Sequence, residues 1–198
     1  MVDHVIYAAP NVDSASSQFA RDYGVMPSPG GRHLGYGTRN ALVGLGPHTY
    51  LELVGIDEEQ NMPASRRLFQ LDELSPSRFV AWCARAHRPL RETVAIAHQA
   101  GYDLGEIISM SRSRPDGSTL SWTMTSPLGD RAGGVLPFYI DWGTSPHPAS
   151  SLPSSLSLSS LTAVHPQADR IRAILDALGE EAVGVERGES PALIVALR

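Results

Sequence analysis

Two side chains, His4 and Glu52, have the chemistry of a divalent-metal pair, since imidazole and carboxylate both donate to Zn, Fe, Mn or Ni. They can meet if they sit on the first and fourth strands of one βαβββ unit. The helix and the intervening hairpins return the chain so that those two strands run the same way and can be neighbours. The blander alternative is a strand histidine hydrogen-bonded to Glu52. Arg32 and Arg39 could clamp a carboxylate in bidentate fashion, or stay solvated. Asn40 could orient a substrate or cap a turn. Tyr36, Tyr50, Trp82, Trp122, Tyr139 and Trp142 could line an aromatic pocket or fill a core. Cys83 reads as a small buried hydrophobe, His147 as loop structure between Pro146 and Pro148, and His165 as a local cap. Arg66 and Arg67, after a Ser65 cap, could form a solvated helix face or attract an anion.

Composition narrows what these residues can be for. All 16 basic residues are arginines, so Schiff-base chemistry, a P-loop lysine and a lysine general base are excluded. The net charge of −5 lacks the basic footprint that nucleic-acid binding requires. With 42% hydrophobic and 19% charged residues, the 198-residue chain can bury a core of its own. Its apolar runs, such as residues 41–45 and 193–197, are far short of the roughly 18 residues of a membrane span. The opening Met1-Val2-Asp3-His4 lacks the basic and apolar regions of a secretion signal, so the expected location is cytoplasmic. A single cysteine fits that compartment and allows no internal disulfide.

The elements that must position these residues follow from periodicity. Residues 3–9 alternate as a strand. Val12, Ala15, Phe19 and Tyr23 recur at helical spacing after the cap candidates Asn11, Asp13 and Ser14, and Gly24 ends that helix. Three further strands are expected over 32–37, 40–45 and 50–56. The same order returns with a strand at 78–85, a helix at 89–100 ended by Gly101, and strands near 106–112, 119–125 and 134–142. Pro115, Asp116 and Gly117 supply a turn between the first two of these. Both halves read βαβββ, an internal repeat. A Ser/Pro-rich stretch over 144–155 leads to a strand at 156–164, a helix from Pro166 to about 178, and strands at 182–185 and 192–197. This is a partial third βαββ unit, expected to extend the sheet. The chain thus divides into residues 1–74, 75–143 and 144–198, as one α+β structural unit.

Four segments carry a resemblance. Asp3-His4-Val5, Gly30-Gly31-Arg32-His33-Leu34-Gly35-Tyr36-Gly37-Thr38-Arg39-Asn40, Tyr50-Leu51-Glu52-Leu53 and Leu136-Pro137-Phe138-Tyr139-Ile140-Asp141-Trp142 resemble the glyoxalase-like group of the vicinal oxygen chelate superfamily. The likeness covers roughly residues 1–145. It implies paired βαβββ modules forming a cupped mixed sheet around a divalent metal (Zn, Mn, Fe, Ni or Co), with ligands from the first and fourth strands of each module. His4 and Glu52 match the ligand positions of the first module. The second departs from the pattern, offering Phe79 or Ala81 on its first strand, and Tyr139 with Asp141 two residues on from it on its fourth. Asp141 is the residue there that could ligate a hard metal. His33 is a candidate replacement ligand, or else it bonds a loop carbonyl and holds the turn over 30–37.

The resemblance implies a metal-dependent lyase or isomerase acting on a small oxygenated or carboxylated metabolite, in a homodimer. Glu52 would be a ligand that also moves a proton. Arg32, Arg39 and Asn40, with Trp82, Trp122 and Tyr139, would hold the substrate. The rival is a non-catalytic small-molecule binder with a degenerate metal site.

Overall fold

The computed structural model describes every residue except 62, 64–67, 114–118 and 130, and only the backbone at 70, 73, 112 and 113. Ser65, Arg66, Arg67 and the turn expected at Pro115, Asp116 and Gly117 lie outside the described residues. The first module runs β1 (Val2–Ala8), α1 (Val12–Tyr23), β2 (Ser28–His33), β3 (Thr38–Gly44) and β4 (Tyr50–Ile56). The second runs β5 (Arg78–Arg85), α2 (Leu90–Gln99), β6 (Ile107–Ser113), β7 (Thr119–Thr125) and β8 (Phe138–Asp141). Helix α1 starts where the Asn11 side chain accepts from the Ser14 N–H, and stops at Gly24, whose φ of 71° is left-handed.

Together they build one eight-stranded sheet, in the order β2-β3-β4-β1-β5-β8-β7-β6. Within each module the first and last strands pair in parallel, β1 with β4 and β5 with β8, and the modules join through antiparallel β1 and β5. The expected neighbourhood of the first and fourth strands is therefore present. The outer strands β2 and β6 approach each other, so the sheet curls into a cup.

Alternation sorts the side chains between the two faces. Val5, Leu51, Leu53, Trp82, Ala84 and Tyr139 face outward and pack with Val12 and Phe19 of α1 and Leu90 and Ala97 of α2. Ile6, Leu42, Tyr50, Val54, Ala81, Cys83, Phe138 and Ile140 face the cup. Two short 3-10 segments, Leu68–Glu73 and Pro148–Ser151, close its rim with Leu71, Leu74 and Ala149.

Two differences from the sequence reading have clear causes. Strand β8 begins at Phe138 rather than near 134, because residues 131–136 turn through Gly133 and Gly134 at positive φ. Gly134 lies so close to β5 that a Cβ there would come within 1.9 Å of the Val80 carbonyl oxygen. The tail does not extend the cupped sheet. β9 (Leu158–Val164), β10 (Gly184–Glu186) and β11 (Ala192–Leu197) make a separate three-stranded sheet with α3 (Ala168–Leu178). Leu161, Ala163, Ile171, Ile174 and Leu175 join the outward-facing core, so the tail backs the sheet and leaves the cup open. Burying each of Leu161, Ile171, Ile174 and Leu175 contributes about 1.5–3 kcal/mol. Among the described residues no helix is long and apolar enough to cross a membrane.

Candidate active site

The cup floor holds a cavity of about 280 Å³, with a polar end and an apolar wall. The polar end is built by the first module. His4 on β1 and Glu52 on β4 share the cup parity, and the parallel pairing puts His4 Nε2 3.7 Å from Glu52 Oε2. His33, the last residue of β2, reaches in from the rim and puts its Nε2 3.3 Å from Glu52 Oε1. Asn40 on β3 lies between them, its amide nitrogen 2.5 Å from Glu52 Oε1 and 3.2 Å from His33 Nε2. Asn40 is aimed by its own Oδ1, which accepts from the Gly31 N–H at 2.7 Å.

Each imidazole is fixed by its other nitrogen. His4 Nδ1 is 2.9 Å from Asp3 Oδ1, and His33 Nδ1 is 2.8 Å from Thr38 Oγ1. The His4 ring also stacks on Tyr50, with centroids 4.6 Å apart, and meets the edge of Phe138 at 5.7 Å. Burial of Glu52 would raise its carboxyl, but the hydrogen bond and charge of His33, the charge of His4 and the Asn40 amide outweigh it and hold the group at about 2. Burial acts on Asp3 in the same direction, and hydrogen bonds from His147 and His4 reverse it, leaving Asp3 well below the usual carboxylate range. Burial pushes the Cys83 thiol up, helped by Asp3 and Glu52, so this cup-facing sulfur is an inert thiol.

The residues expected at the site divide between the cavity and the surfaces away from it. His4, His33, Glu52, Asn40, Arg32 and Trp122 line the cavity. Arg39 is next to Asn40 on a strand and so points the other way, where its guanidinium grips Asp13 at 2.6 and 3.1 Å. Trp82 is outward-facing and fully buried, donating to the Val135 carbonyl at 2.9 Å. Tyr139 is also outward-facing and donates to Glu180 at 3.3 Å. Asp141 does share the parity of Tyr139, but that parity leads away from the cup. It is exposed, and its carboxylate accepts from the Gly143 N–H. The cup-facing positions of β5 and β8 are instead Ala81, Cys83, Phe138 and Ile140, none with a metal-donor carboxylate or imidazole. Arg32 reaches the rim already paired, to Asp57 at 3.4 Å and to Glu59.

Met110, Trp122, Met124, Phe138, Ile140 and Trp142 of the second module make much of the apolar wall, with Leu42, Tyr50 and Phe69 contributing from the first module and its connector. Sequence reasoning missed Asp3 and His147. The former stands beside His4 in sequence, where strict alternation would send it to the other face. The latter reaches Asp3 from 144 residues away, which local pattern cannot show.

Among the described residues, no three His, Cys, Asp or Glu side chains already form a metal-binding group. The two imidazoles approach opposite oxygens of Glu52 rather than one common point. The donor chemistry nevertheless fits a divalent ion. Two nitrogens and a carboxylate face one another, and each imidazole is held at Nδ1 by an oxygen, the support that metal-binding histidines usually have.

The family model of the glyoxalase-like domain matches residues 2–179. The chain belongs to that family. This glyoxalase-like protein has the fold of the vicinal oxygen chelate superfamily, as its segments suggested. Among solved structures, a hypothetical protein from Staphylococcus aureus superimposes with a TM-score of 0.69 at 16% identity, over 98% of this chain and 90% of that one. Two methylmalonyl-CoA epimerases are also similar. That of Streptomyces coelicolor, a single-residue variant in complex with 2-nitronate-propionyl-CoA, has a TM-score of 0.48 at 15% identity, over 75% of this chain and 98% of that one. That of Mycobacterium tuberculosis has a TM-score of 0.47 at 16% identity, over 72% and 87%. No curated protein matches the chain.

Proposed function

We propose that this glyoxalase-like protein is a metal-dependent lyase or isomerase that moves a proton on a small oxygenated metabolite. The observation that carries the proposal is Glu52, an ionised buried carboxylate bracketed by His4 and His33 at the polar end of an otherwise apolar cavity. His4, His33 and Glu52 would hold the ion. When bound it supplies Lewis-acid stabilisation of negative charge on a substrate oxygen.

The chain's own residues do the rest. Without the ion, the His33 and His4 imidazoles, ahead of the Asn40 amide, hold the Glu52 carboxyl at about 2, too weak a base for neutral pH. Glu52 would take a proton only once those donors are engaged elsewhere. With the two imidazoles engaged as ligands, Asn40 would be the donor left on Glu52 Oε1, and its amide nitrogen also lies 3.2 Å from His33 Nε2. A substrate oxygen that captures this amide strengthens Oε1 as a base as it binds. The substrate's apolar part lies against Trp122, Phe138 and Trp142, which exclude water from the reacting end.

The test is solvent-deuterium exchange into a panel of small 2-hydroxy and 2-oxo compounds, with Zn, Mn, Fe, Ni or Co added in turn. The proposal expects metal-dependent exchange into at least one compound, lost in Glu52→Gln. Exchange that is equal in the variant removes Glu52 from the chemistry.

A second reading has one observation in its favour, the apolar residues Ala81, Cys83, Phe138 and Ile140 where the second module would supply ligands. They suit a binder of aromatic compounds. Thermal stabilisation by such a compound without metal, unchanged in His4→Ala, would favour it.

A further inference from the structure

Asp3 has no exposed surface and meets four partners among the described residues. Its Oδ1 meets His4 Nδ1 at 2.9 Å. Its Oδ2 accepts from Trp142 Nε1 at 3.1 Å and Arg85 Nε at 3.2 Å, and stands 3.1 Å from His147 Nε2. His147 Nδ1 accepts from the Ala149 N–H at 3.2 Å, so it carries no hydrogen there and Nε2 is the donor to Asp3. Oδ2 is thus fully committed to donors from the second module and the rim, and Oδ1 is left to His4.

Neighbours on a strand point to opposite faces, and Asp3 reaches His4 through a local irregularity. β1 pairs Val2 with Ala84 and His4 with Cys83, two residues on one strand against one on the other. Asp3 is the extra residue of this bulge, a device that re-aims a side chain.

We propose that Asp3 is a positioning residue for His4. It holds the imidazole with hydrogen on Nδ1, so that in the neutral ring the bare nitrogen is Nε2, the one turned toward Glu52 and the cavity. The inference rests on the proposed role of His4 as a ligand, since a bare Nε2 is what a metal ion needs.

Asp3→Asn separates this from mere packing. Three donors at Oδ2 retain the amide oxygen, so the amide NH₂ turns to His4 and must be accepted by Nδ1, which drives the ring hydrogen to Nε2. The measurement is the ¹⁵N spectrum of the histidine rings in mildly alkaline buffer, His4 being assigned from His4→Gln. The wild type is expected to carry hydrogen on His4 Nδ1, and Asp3→Asn to carry it on Nε2. Cobalt titration of the same samples is expected to show affinity about 10- to 100-fold weaker in the variant. A wild-type His4 with bare Nδ1 overturns the proposal whether or not the variant folds, and so does a variant that keeps hydrogen on Nδ1. If the wild type shows the expected tautomer but binds no cobalt, the positioning role stands and the metal reading fails.

Discussion

Glu52, the centre of the proposed chemistry, also carries a pH dependence. Its carboxyl is held at about 2 in the folded chain against the usual 4.5, by donors that the unfolded chain does not gather. A depressed folded value means that the unfolded state binds the proton more readily. The resulting stability is complete above about pH 4.5 and is lost as pH falls toward 2. Asp3, lowered in the same sense, adds to the loss. Denaturant unfolding followed across this window should therefore show stability falling with pH, with a shallower fall in Glu52→Gln. Equal slopes in the two proteins would mean that the depressed carboxyl is not Glu52.

At the scale of elements, the site depends on how β2 and β3 bring His33 and Asn40 to β4. Gly30 permits this approach, since a Cβ there would fall 2.0 Å from Asn40 Oδ1. Gly30→Ala should displace the Asn40 side chain, uncouple it from Glu52 and weaken ligand or metal uptake, with the melting temperature lowered by only a few degrees. Calorimetric titration beside a thermal melt checks this, and uptake equal to wild type would show that Asn40 is not part of the site. The elements themselves were largely legible. β4, β5, β7 and β11 have the expected bounds, because alternating side chains flanked by turn residues mark them on both sides. His4 and Glu52 were legible as a pair for the same reason, once the βαβββ order made their strands neighbours. Absolute parity was not legible in the second half. Tyr139 and Asp141 alternate correctly, but their face depends on the register of β8 against β5, which the unforeseen turn at Gly133 and Gly134 sets. Asp3 was hidden by a bulge, and a bulge is a property of two paired strands rather than of one sequence.

The whole molecule divides its labour between two modules of one architecture. Among the described residues, the first supplies the imidazoles that bracket Glu52, and the second supplies most of the apolar wall. The third, partial module stays behind the sheet, tied on by a buried Glu180 that meets the Met1 ammonium at 2.7 Å and the Tyr139 hydroxyl. Under the proposed function the ion would sit on one side of the cup and the substrate's apolar body on the other. The most direct measurement is elemental analysis of the purified protein beside Glu52→Ala, after controlled addition of Zn, Mn, Fe, Ni and Co. Near-stoichiometric metal in the wild type, lost in the variant, is the predicted result. No metal in either protein would contradict the account and leave the cup a metal-free binder of small aromatic molecules.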